Sequence, residues 1–171
     1  LKVELQKHQT SFGFLEKAEF RIRKLADAED LACFLANCFP NPDTVLQGLA
    51  GLLTNAVEHG SLEIGYQAKT ELLRDGRWRT EVENRAELPQ FKDRAVHVRL
   101  ERGDDEIKAI ISDEGPGFNW RDFLEIDPSR ALDNHGRGIA QANKISFDSL
   151  TYNEKGNEVT AVSSLRSGIK W

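Results

Sequence analysis

Residues 94–115, RAVHVRLERGDDEIKAIISDEG, constrain the fold more than any other stretch. Apolar side chains occupy alternate positions on either side of the polar interruption RGDD, and the second run ends in Asp113. A period of two sends successive side chains to opposite faces of a strand, and a short polar Gly-containing break between two such runs is a hairpin signal. An antiparallel pair with one apolar face needs a second layer to cover it.

The rest of the chain supplies that layer. In AEFRIRKL, Phe20, Ile22 and Lys24 alternate with polar neighbours and predict a further strand. ADAEDLACFLANCF places Leu31, Phe34, Leu35 and Cys38 on one helical stripe. PNPD stops that helix and offers Asp43 as N-cap of the next, which contains GLAGLLTNAVEHG. SLEIGYQAKTELLRDGRW begins extended, turns helical over 67–74 and breaks at Asp75-Gly76, and WRTEVENRAELPQFKDR continues as a charged, solvated helix until Pro89. The segment from Pro116 to His135 is rich in turn residues, GRGIAQANKI returns to helix, and FDSLTYNEKGNEVTAVSSL reads as a last hairpin turning at Lys155-Gly156-Asn157. Residues 1–17 read as a linker or the end of a connecting helix, leaving 18–171 as one domain. This order predicts an α+β two-layer sandwich, a mixed, mostly antiparallel sheet with helices on one face.

Composition narrows the partners. A formal charge of −5 argues against broad attraction to nucleic acid or anionic lipid, and no apolar run approaches the ~20 residues of a membrane span. Cys33 and Cys38 lie five apart without metal-ligand company, so both are expected as core thiols in a reducing cytoplasm. The chain starts at Leu1 and contains no Met, so it is expected to be a piece of something larger.

Three elements carry chemistry. Asn55 and His59 are i and i+4, on one helix face with Gly51 a turn earlier, and an amide with an imidazole can line a cavity and hold a hydrated cation or a phosphate. The competing reading is a satisfied polar residue followed by a histidine favoured by the helix dipole at a C-terminus. In SDEGPGF, Asp113 enters a buried position as an acceptor, and Gly115 and Gly117 let backbone approach a ligand, against the plainer alternative of a strand followed by a Pro-Gly turn. In HGRGIA, Gly136 and Gly138 precede a helix whose amides, with Arg137, can cradle phosphate. That Gly-x-Gly is weak alone and lacks the βαβ setting of a dinucleotide fold.

In this order and spacing the three elements resemble the GHKL family of ATP-binding domains, the Bergerat fold of sensor histidine kinases, gyrase-type ATPases and bacterial anti-sigma serine kinases. NAVEHG is similar to its N-box, DEGPGF to its first glycine box, HGRG to its second, and GNEV to the turn before its last core strand. NAVEHG with GRGIA looks most like the anti-sigma kinase branch, found free or attached to response regulators and PP2C-type phosphatases. The resemblance spans roughly residues 18 to 166. It implies ATP and Mg²⁺ as cofactors, with Asn55 on the metal and Asp113 accepting from the adenine amino group. It also implies that Gly115 and Gly117 shape the adenine side, and that Gly136, Arg137 and Gly138 meet the phosphates beneath a lid of residues 119–135. His59 belongs to the same box. The implied partner is a sigma factor or an anti-sigma antagonist, compatible with a homodimer.

One departure bears on activity. Family members that transfer or hydrolyse phosphate usually carry Glu one turn before the asparagine, and here Gly51 stands there. Losing a positioned general base costs about 10²- to 10⁴-fold in rate. Glu58 is a weak substitute, three residues beyond Asn55 and expected to face solvent. The resemblance therefore implies a serine/threonine protein kinase with impaired catalysis, or a nucleotide-sensing protein-binding module without transfer. A sensor histidine kinase would need an acceptor, for which His8 is the upstream candidate.

Overall fold

The hairpin read from residues 94–115 forms the centre of a five-stranded sheet. In a computed structural model, described over residues 11–124 and 138–166, β1 is Lys17–Ile22, β2 Val96–Arg102, β3 Glu106–Asp113, β4 Ser149–Tyr152 and β5 Glu158–Ser164. Their order in the sheet is β1-β2-β3-β5-β4, and all four pairings are antiparallel. The register aligns Phe20, Val98, Ile111 and Val159 across one row and Leu100, Ala109 and Ala161 across the next. These are inner-face residues. On the outer face, Glu19, Arg99, Ile110, Thr160 and Thr151 make the corresponding row. The alternation that predicted the hairpin is thus the alternation between core and solvent.

The helical layer covers the inner face. Helix α1, Leu25–Ala36, buries Leu25, Ala28, Leu31, Ala32, Leu35 and Ala36, a stripe at spacings of three and four. Helix α2, Pro42–Asn55, buries Val45, Gly48, Leu49, Leu52 and Leu53 and continues without a break into a π-helical turn, Ala56–Ser61. Helices α3, Tyr66–Arg74, and α4, Trp78–Ala86, follow, and α5, Gly138–Gln141, also runs into a π-helical turn, Ala142–Ser146. Leu35, Leu49, Leu53 and Leu100 are fully buried in one core cluster shared by sheet and helices. Each such side chain contributes about 1.5–3 kcal/mol relative to exposure. The expected α+β sandwich is the observed architecture, and among the described residues no helix is long and apolar enough to cross a membrane.

Four local expectations need correction. Lys24 does not extend the first strand; it is the N-cap position of α1, where its backbone N–H donates to Asp27 Oδ2 at 3.0 Å. Asp43 is not the N-cap of α2, because Asn41 holds that position and Pro42 opens the helix, as its fixed φ and missing N–H favour. Cys38 is buried but Cys33 is exposed, and Phe34, also exposed, meets Phe12 and Phe20 edge-on at 5.5 and 5.7 Å between ring centroids. The charged segment 78–94 is not simply a solvated helix, since Val82, Ala86 and Phe91 are buried in the common core. His8, the acceptor considered for a histidine kinase, lies outside the described residues.

Candidate functional site

Helix α2 delivers the first part of the site. Gly48 and Gly51 lie on the side of α2 that meets α5 and its π-turn: a β-carbon at Gly48 would fall 2.5 Å from Ser146 Cβ, and one at Gly51 would stand 3.7 Å from Gly138 Cα. This close seam brings Asn55 alongside Gly138, where a β-carbon would lie 4.0 Å from the Asn55 Nδ2. Gly51 is therefore a packing residue against the start of α5, and position 51 offers no group to a ligand.

Beyond Asn55 the chain widens into the π-turn. Each residue of a π-helix advances by less rotation than in an α-helix, so the residue three beyond Asn55 falls short of its face while the residue four beyond stays near it. Accordingly Asn55 and His59 line one cavity and Glu58 does not. The Glu58 side chain is fully buried elsewhere, its Oε2 accepting from Lys69 Nζ at 2.7 Å and its Oε1 from Trp78 Nε1. This overturns the solvent-facing carboxylate expected from the sequence and removes Glu58 as a catalytic substitute for position 51.

His59 has a fixed tautomer. Its Nδ1 bonds the Ile64 carbonyl, and a carbonyl oxygen only accepts, so Nδ1 carries the hydrogen and Nε2 keeps its lone pair. Burial pushes the imidazole below its ordinary value, with the Ile64 bond and the Glu58 charge opposing. The ring is held neutral near physiological pH.

The first glycine box supplies the second part. Asp113 ends β3, and its backbone is held on both sides by Asn157, whose carbonyl accepts from Asp113 N–H and whose Nδ2 donates to Asp113 O, each at 2.9 Å. The carboxylate Oδ1 accepts from Gly115 N–H at 2.8 Å, and Oδ2 has no hydrogen-bond partner among the described residues. Two glycines make room for this carboxyl. A β-carbon at Gly60 would fall 2.2 Å from Asp113 Cγ, and one at Gly115 would fall 2.2 Å from Gly60 O. Burial raises the Asp113 carboxyl to about 6, against the opposing pull of the Gly115 amide, Lys155 and Arg94. Farther along, Gly117 and Gly156, both at positive φ, let loop 115–118 cross the β4–β5 turn backbone to backbone; β-carbons there would meet Lys155 O and Phe118 O at 2.0 and 2.2 Å.

The two parts close on one cavity of about 360 Å³, with Asn55, His59, Gly60, Asp113, Gly117 and Gly138 in its wall. That size is in the range of about 300–1,000 Å³ usual for ligand pockets. Aromatic rings form one side: Phe118 meets Phe123 and Tyr152 edge-on at 5.6 and 5.5 Å, and Tyr66 lies 6.4 Å from Phe123. Burial and the neighbouring Asp113 charge raise the Tyr152 hydroxyl above its usual range, so it remains a donor. The predicted residues Asn55, His59, Asp113, Gly117 and Gly138 are thus together, and Gly115 lies directly under the Asp113 carboxyl. Gly136, Arg137 and lid residues 125–135 lie outside the described residues, whereas 119–124 contain a short 3₁₀ turn, Trp120–Phe123.

No protein-family model matches the chain, and no curated protein matches it. The site therefore stands on its own geometry. Sequence reasoning missed Gly60, although it directly follows the Asn55–His59 pair, and missed the aromatic side, which is assembled from three separate segments. Among the described residues no group of three or more His, Cys, Asp or Glu side chains could hold a metal ion by itself. Asn55 offers a single hard oxygen donor at the cavity wall. Such a site suits a cation that takes one or two protein oxygens and completes its shell with water and ligand phosphate, as Mg²⁺ does.

Proposed function

We propose that the cavity binds an adenine nucleotide with Mg²⁺, and that the chain is a GHKL-type domain of the anti-sigma serine/threonine kinase branch. On this reading it acts in the cytoplasm in bacterial partner-switching or response-regulator signalling. The observation that carries the proposal is the Asp113 carboxyl, seated between Gly60 and Gly115 with Oδ2 directed to no donor among the described residues. A lone acceptor in a buried, aromatic-sided pocket is suited to the exocyclic amino group of a flat base. Asn55 would hold the metal, and the start of α5 at Gly138 would face the phosphates, continuing toward Gly136 and Arg137. The neutral Nε2 of His59 is an acceptor on the same wall, available to a ribose hydroxyl or a metal-bound water.

Phosphotransfer has weaker support than binding. Gly51 packs on Gly138, Glu58 is tied to Lys69 and Trp78, and Glu63 and Glu158, which line the cavity, are engaged by Arg94 and Ser112 at 2.5 Å each. Each of these three glutamates therefore has another partner. This favours a nucleotide-dependent protein-binding module, engaging a sigma factor or its antagonist, over an efficient kinase. Calorimetric titration with Mg-ATP, Mg-GTP and adenosine, followed by label transfer to an antagonist protein, tests both parts. Binding of ATP and adenosine over GTP with little transfer is expected; no heat with any adenine ligand would overturn the proposal.

A further inference from the structure

We infer that the segment 66–94 positions the metal-and-phosphate end of the cavity, with Lys69 and Trp78 acting on Asn55 and His59 through Glu58; this rests on the nucleotide reading above. Glu58 lies on the same π-turn as His59, and that turn directly follows the end of α2 at Asn55, so the placement of Glu58 sets the rotation of the turn. No water reaches its carboxylate, and its two partners come from different helices, Lys69 from α3 and Trp78 from α4. Lys69 Nζ also lies 5.4 Å from the centre of the Trp78 ring.

The same segment terminates the backbone that leaves the turn. Arg85 Nε donates to Leu62 O at 2.6 Å, and Arg94 Nη1 donates to Ser61 O at 3.1 Å and pairs with the Glu63 carboxylate. Both guanidinium groups stack on Phe91, 4.9 and 5.0 Å from its centre. Between them Glu63 is held at φ 53°, a left-handed conformation that is unfavourable for a non-glycine residue and persists only where its surroundings impose it. Ile64 completes the connection, donating its N–H to Glu58 O at 2.9 Å and accepting from His59 Nδ1. The His59 tautomer is thus a consequence of how the segment captures residues 61–64.

Stability alone does not call for this arrangement. Well-packed apolar residues can replace a buried ion pair with little loss, whereas removing one partner strands a charge. If Lys69 is lost, Glu58 has to swing toward water, and the turn that carries His59 and directly follows Asn55 rotates with it. Asp113 and Gly115 lie on the other wall, where Asn157 holds the Asp113 backbone, and of this turn Gly60 alone packs against the Asp113 carboxyl. The effect therefore falls mainly on the phosphate end and reaches the base end only through Gly60.

Titration of the full chain with adenosine and with Mg-ATP separates the two ends. For Lys69→Met, the affinity ratio of Mg-ATP over adenosine is expected to fall about 10-fold or more, the range seen when residues behind a ligating group are removed, with a smaller loss of adenosine affinity. Lys69→Arg should restore the ratio. Glu58→Leu/Lys69→Met, an apolar pair that keeps the fold, should recover the unfolding midpoint and not the ratio. An unchanged ratio in Lys69→Met with only a lowered midpoint, or equal weakening of both ligands, would overturn the positioning role. Failure of the wild-type chain to bind either ligand would overturn the nucleotide reading itself.

Discussion

Replacing Asp113 by Asn should stabilise the protein while weakening its ligand, and both effects can be worked from the site. The carboxyl moves from its ordinary 3.8 to about 6 because burial opposes its charge. At 1.36 kcal/mol per pH unit this corresponds to about 3 kcal/mol. Asp113 is only half-buried, and solvent in the cavity reduces the figure to about 1–2 kcal/mol. The folded-state value lies above the unfolded one, so the folded chain holds the extra proton between about pH 4 and pH 6. Stability from this group is present below that window and is lost as pH rises through it. Asn keeps the Oδ1 acceptor for Gly115 N–H and carries no charge to bury. Urea unfolding of both proteins should therefore give equal stabilities near pH 4 and a gap of about 1–2 kcal/mol favouring Asp113→Asn above pH 7. With adenine bound as proposed, the same substitution would turn a donor toward its amino group, and losing a charge-assisted bond of about 1.5–3 kcal/mol should weaken adenosine binding by about 10- to 100-fold. A gap constant from pH 4 to pH 8, or a variant less stable than wild type at pH 8, would refute the burial account.

Gly51→Ala should raise the unfolding midpoint by a few degrees: alanine is favoured over glycine in a helix by about 1 kcal/mol, and the added carbon would stand 3.7 Å from Gly138 Cα, an ordinary contact. A lowered midpoint would show the seam between α2 and α5 to be tighter than that distance implies. Gly60→Ala should reduce adenosine affinity as strongly as Asp113→Asn without its stability gain, because the methyl group would occupy the place of the carboxyl; unchanged affinity in the same titration would remove Asp113 from the base site. Phe91→Ala should cost about 3–5 kcal/mol in urea unfolding, the scale for a buried aromatic, since Phe91 is core to the segment 78–94 and carries both Arg85 and Arg94. A cost below about 1 kcal/mol would mean that this segment is a solvated appendage after all.

Much of the fold was legible because its signals are local. The β2–β3 and β4–β5 hairpins show in the sequence because alternation of period two and turn residues sit side by side in the chain. Helices α1 and α2 show through spacings of three and four, and their exact starts were missed by a residue or two because Lys24, Asn41 and Asp43 are all chemically able to precede a helix. Cys33 and Phe34 were misplaced for a related reason. They are adjacent apolar residues on the side of the helix turned away from its buried stripe, Leu31, Ala32 and Leu35.

The site divides along the same line. Asn55, His59 and Asp113 could be found because polar residues interrupt apolar runs at helical or strand spacing. Glu58 could not be placed, because its burial depends on Lys69 and Trp78, and charge in a sequence gives no sign of whether a partner waits in the fold. In the α-helical register assumed from the sequence, Glu58 would stand near the face of Asn55; the π-turn moves it off that face and leaves His59 in place. That single change of helical pitch separates the cavity-lining residues Asn55 and His59 from the buried Glu58, whose partners Lys69 and Trp78 lie outside the NAVEHG segment. The segment that reads as a charged, solvated helix thus supplies, through Trp78, a partner that keeps the Glu58 carboxylate out of the cavity.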